Sequence, residues 1–63
     1  MTEIRLEWKD LNSAEKLQAI ESYAYIRECE EGKPCSKKRA EENTPYCRGF
    51  YKDIETGYIF VDI

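Results

Sequence analysis

The sequence predicts an α+β fold: a single small domain spanning residues 1–63, of order β-α-β-β, with one helix packed on one face of a three-stranded sheet that includes a C-terminal hairpin. Three patterns predict it. "EIRLEW" alternates between apolar and charged residues. "DLNSAEKLQAIESYAYIRECEEG" carries the start and stop signals of one long helix. "YCRGFYKDIETGYIFVDI" is two β-rich runs about a glycine-containing turn.

In the first stretch Ile4, Leu6 and Trp8 fall on one side and Glu3, Arg5 and Glu7 on the other, the period of a half-buried strand. In the second, Asn12 is a good N-cap, and Glu15 three residues on can reach back to the cap amide. Gly32 suits the left-handed residue that ends a helix, and Pro34 prevents continuation. At 100° per residue, Leu17, Ala19, Ile20, Tyr23, Ala24 and Ile26 share one half of the cylinder; Gln18, Glu21, Ser22, Tyr25 and Glu28 share the other.

The connection "KPCSKKRAEENTP" places its bases before its acids, the order that opposes a helix dipole, so a weak or 3₁₀ element is expected there. For the hairpin, a three-residue turn Glu55-Thr56-Gly57 with Gly57 left-handed sets Ile54 opposite Tyr58, Lys52 opposite Phe60 and Phe50 opposite Asp62. Ile59, Val61 and Ile63 then face the helix together with Cys47, Gly49 and Tyr51, and Gly49 allows close approach of the helix. Tyr46, Arg48, Phe50, Lys52, Tyr58 and Phe60 occupy the outer face.

Size and composition narrow the function. A chain of 63 residues buries only about 60% of its unfolded surface, so its core is small. With 41% apolar residues, eight of them aromatic, it has too many core formers for a disordered chain. No apolar run approaches a membrane span, and "MTEIRLEWKD" lacks the basic and apolar regions of a signal peptide, so no membrane partner and a cytoplasmic location with reduced thiols are expected. The net charge of −3 is uneven: residues 1–31 are acidic, while Lys33, Lys37, Lys38, Arg39, Arg48 and Lys52 make residues 32–52 basic. The plainest reading of that cluster is a counter-charge for Glu28, Glu30 and Glu31 at the negative end of the helix.

Cys29, Cys35 and Cys47 are the candidate metal ligands, spaced C-x₅-C-x₁₁-C. Structural zinc wants four ligands, usually with a paired C-x₂-C knuckle, and the chain has no histidine. A Cys-ligated metal is therefore the weaker alternative, and no cofactor is expected. The odd number of cysteines argues against a disulfide framework, and although Lys33, Lys37 and Lys38 near Cys35 can favour its thiolate, no histidine base or C-x-x-C motif is present for catalytic use. Cys47 is expected in the sheet core, as free cysteines often are. Phosphate loops, nucleophile elbows and H-E-x-x-H are also lacking, so no enzymatic activity is expected.

What remains is binding. Phe50, Tyr58 and Phe60 with Arg48 and Lys52 form the expected surface, adjoined by Lys37, Lys38 and Arg39 of the basic loop. Aromatics with arginine are typical of protein interfaces, so the expected partner is a protein: a larger one to be regulated, or a second copy in a homo-oligomer. Single-stranded nucleic acid stacked on the rings is the alternative, opposed by the flanking Glu3, Glu7 and Asp62.

Overall fold

The computed structural model describes residues 2–63. Chain order is β1 (Glu3–Leu6), a 3₁₀ turn (Trp8–Asp10), α1 (Ser13–Glu31), α2 (Lys37–Asn43), a second 3₁₀ turn (Thr44–Tyr46), β2 (Gly49–Asp53) and β3 (Ile59–Asp62). The three strands form one antiparallel sheet in the order β1-β2-β3, and α1 packs on β3. This is the expected α+β arrangement, with one short helix added.

Local chemistry explains the long helix. The Asn12 side chain accepts from the Glu15 amide at 2.8 Å while Glu15 accepts from the Asn12 amide at 2.9 Å, so both partners satisfy an otherwise orphaned donor. At the other end Gly32 adopts φ 71° and its N–H closes on the Glu28 carbonyl. The first strand is shorter than its alternation suggests. The Glu7 amide donates to the Asp10 carboxylate at 3.1 Å, turning the chain into the 3₁₀ segment, so Trp8 reaches the core from a turn.

The connection after α1 holds a true α-helix rather than a weak one. Ser36 caps it by accepting from the Arg39 amide at 3.1 Å, and Ala40 is fully buried. Arg39 makes a two-pronged ion pair with Glu31, both contacts 2.8 Å, which ties α2 to the end of α1. Tertiary contact thus outweighs the unfavourable charge order. Tyr23, Ala40 and Thr44 are buried where α1, α2 and the following turn meet.

The hairpin differs from expectation by one residue. Its loop is Ile54–Gly57, closed by the Asp53 N–H donating to the Tyr58 carbonyl at 3.0 Å and the Gly57 N–H donating to Asp53 at 2.7 Å. The Asp53 carboxylate accepts from the Glu55 amide at 2.9 Å, which starts the turn at Asp53. Gly57 is left-handed, with φ 75°, but the loop holds one residue more than the three-residue form. Phe50 therefore faces Val61, and Lys52 faces Ile59. Because side chains alternate, this slip carries all of β2 to the opposite face relative to β3.

The consequence is a different core. Phe50, 2% exposed, joins Leu11, Ala19, Ile59 and Val61, with Leu6, Trp8, Cys47 and Ile63 packed around them. Trp8 and Phe50 lie tilted, ring centroids 5.6 Å apart. Tyr51 leaves the helix side and shares the open face with Arg5 and Phe60. Gly49 does not admit the helix. The Arg5 side chain lies over it so closely that a Cβ there would come within 3.0 Å of the guanidinium. Ser22, expected among polar residues, is buried, and its hydroxyl donates to the Ile59 carbonyl at 3.0 Å.

Candidate functional site

Among the described residues the largest exposed apolar side chains are Ile4, Leu17, Tyr25, Tyr46, Ile54, Tyr58 and Phe60. Three of them converge. Tyr25 and Ile26 project from α1 beside Ser22, at the spacing that places residues on one helix face. Tyr58, immediately before β3, and Phe60 within it stand two apart, on one side of the sheet. Together with Val61 they line a cleft of about 250 Å³ along the outer edge of β3. Its rings are accessible: Tyr25 is 69% exposed, Tyr58 49% and Phe60 43%. Tyr58 and Phe60 are themselves tilted against each other at 4.8 Å, which fixes the strand side of the cleft as one aromatic unit.

The open face continues from this cleft. Register places Arg5, Tyr51 and Phe60 in one row across all three strands. Arg5 Nη2 donates to the Arg48 carbonyl at 2.9 Å, so its charge is held over Gly49 rather than extended into solvent. Glu3, Asp53 and Asp62 are on the same face by alternation.

The residues singled out from sequence thus divide into five groups. Tyr58 and Phe60 are in the cleft. Phe50 is core, for the register reason above. Lys52 is on the helix side, where its ammonium meets Glu15 at 2.8 Å. That contact, with the Asn12 amide, holds the Glu15 carboxyl below its ordinary value of 4.5. Arg48 borders a separate cavity of about 350 Å³ with Trp8, Lys9, Pro45 and Cys47. Lys37, Lys38 and Arg39 are on α2, which packs against α1 rather than over the aromatics. Arg39 is engaged by Glu31 and Lys37 is 4.0 Å from Glu41. Of the basic cluster Arg39 serves the end of α1, as charge alone suggests, while Lys37, Lys38 and Arg39 do not line the aromatic cleft.

Tyr25 and Ile26 were the omissions. An aromatic ring on the polar half of a helix, between Glu21 and Glu28, is the signal that could have pointed to Tyr25. Ile26 could not be assigned to the cleft without knowing which edge of the sheet α1 covers.

The cysteines do not form a centre. All three are free, and no group of three or more His, Cys, Asp or Glu among the described residues is arranged to hold a metal ion. Cys29 is exposed near the end of α1 and Cys35 is half-buried before α2. Cys47 precedes β2 instead of lying within a strand. It packs on the core, and burial raises its thiol above the ordinary 9.0. No helix among the described residues is long and apolar enough to cross a membrane.

No protein-family model matches the chain, and neither the curated proteins nor the solved structures contain a significant match to it.

Proposed function

We propose that the protein is a small non-enzymatic binding module with regulatory character, acting through protein–protein contact at the aromatic cleft between α1 and β3. The observation that carries this reading is the convergence of Tyr25, Tyr58 and Phe60, all substantially exposed, on one apolar cleft. Rings presented this way offer contact area with little side-chain entropy to lose, the usual property of interface anchors. The acids Glu3, Asp53 and Asp62 on the neighbouring open face, and the separation of Lys37, Lys38 and Arg39 from it, support a protein partner over nucleic acid, whose phosphates need positive potential.

The test is affinity capture from the native host with wild type, Phe60→Asp and Tyr25→Asp. Both positions are exposed, so circular dichroism is expected to be unchanged. A specific protein retained by wild type and lost with either variant supports the reading. Partners retained equally by all three, or salt-dependent binding to single-stranded oligonucleotides that survives both substitutions, would refute it.

A further inference from the structure

The two outer edges of the sheet are unlike. Along β3, α1 packs close and Ser22 takes the outward carbonyl of Ile59. Along β1, only β2 packs closely, and Glu3, Ile4 and Arg5 are all exposed. Hydrogen-bond alternation shows which backbone groups remain free there. The Ile54 N–H donates to the Thr2 carbonyl at 3.1 Å, so Thr2, Ile4 and Leu6 direct their backbone groups inward to β2. Glu3 and Arg5 direct theirs outward. Four residues of bare edge are a template for another strand.

We propose that the occupant is β1 of a second copy, paired antiparallel about a two-fold axis at Ile4. Register and charge both select it. Outward-directed residues must meet each other, and Glu7 lies beyond the strand with its N–H on Asp10, so a register centred on Leu6 with Arg5 opposite Glu7 cannot form. Placing Glu3 opposite Glu3, or Arg5 opposite Arg5 with Glu3 opposite Glu7, sets like charges face to face. The one register between these puts Glu3 opposite the partner's Arg5 and Arg5 opposite the partner's Glu3, the exposed guanidinium exchanging the Arg48 carbonyl for the partner's carboxylate. It also sets Ile4, 41% exposed although it points to the helix side, against the partner's Ile4. Each copy thus presents the complement of itself, which a two-fold seam requires. The seam joins two three-stranded sheets into one. It is short, so the dimer forms and dissociates with concentration. This surface is separate from the β3 cleft, and the proposal stands or falls independently of it.

Sedimentation equilibrium from about 10 μM to about 1 mM tests it, across the affinity range of a weak interface. Wild type is expected to rise toward twice its 7.5 kDa mass. Glu3→Pro removes an outward N–H together with the Glu3 charge, a substitution that edge strands tolerate, and is expected to stay at the mass of one chain. Glu3→Arg and Arg5→Glu each create like-charge pairs across the axis and are expected to be monomeric alone, yet to associate when mixed. Phe60→Asp is expected to dimerise like wild type, which separates this seam from the cleft. A wild type that stays monomeric throughout overturns the proposal. So does a dimer that Glu3→Pro leaves intact, or a mixture of folded charge variants that associates no better than its components.

Discussion

Glu15 performs two tasks that sequence could assign only singly. One carboxylate oxygen closes the start of α1 on Asn12, and the other receives the Lys52 ammonium from β2. The helix start is thereby fastened to the middle strand. Because the native carboxyl titrates below its unfolded value, the stabilisation it provides is complete above the ordinary 4.5 and is lost as pH falls through the lowered native value. Glu31, lowered by Arg39, acts in the same direction. Urea unfolding is therefore expected to show a midpoint that falls on acidification below about pH 5. Glu15→Gln, which keeps the cap acceptor but loses the charge, should lower the neutral midpoint and flatten that fall. Ser22 is the second residue whose role was hidden. Ser22→Ala leaves the Ile59 carbonyl without its donor and is expected to cost about 1 kcal/mol by the same measurement. The thiols should separate by reactivity. Iodoacetamide labelling followed by mass spectrometry should modify exposed Cys29 first and Cys47, half-buried with its thiol raised, last.

At the scale of elements, the caps of α1 were legible because each depends on residues close in sequence: Asn12 with Glu15, and Gly32 before Pro34. The antiparallel pairing of β2 with β3 was legible for the same reason. Its register was not, because it turns on whether Ile54 ends the strand or begins the loop, and the Asp53 carboxylate accepting from the Glu55 amide favours the loop. That one contact carries Phe50 from the expected binding face into the core and Tyr51 the other way. The difference is measurable. Phe50→Ala is expected to cost about 3–5 kcal/mol, the range for a buried phenylalanine, enough to unfold much of so small a domain. Phe60→Ala, at a position 43% exposed, should stay within about 1 kcal/mol. The opposite ranking would restore the three-residue turn. The helicity of α2 was obscured by charge order, and what overrode it, burial of Ala40 against α1 and the Arg39–Glu31 pair, joins segments that sequence does not show to be neighbours.

At the scale of the whole molecule, two small clusters replace the single core that composition suggests. One lies between α1 and the sheet; the other lies where α1 meets α2 and the turn after it. Both depend on α1, which buries Ala19, Ser22 and Tyr23, and one of the sides it leaves open, at Tyr25 and Ile26, borders the cleft. An exposed aromatic surface was thus foreseeable in kind, from a surplus of aromatics, but not in place. Three of the cleft's six lining residues come from a helix, and only folding brings them to β3.

The Ser22 hydroxyl on the edge of β3 has a further consequence. In the language of polymer chemistry, a sheet with two reactive edges is bifunctional and grows without limit into a fibre. Here α1 and Ser22 obstruct one edge, so the protomer is monofunctional. The proposed coupling through β1 would consume the remaining reactive group and leave a six-stranded product with α1 and Ser22 at each end. If β1 pairs as proposed, the same hydroxyl that settles the Ile59 carbonyl acts as a chain terminator, and assembly would stop at two.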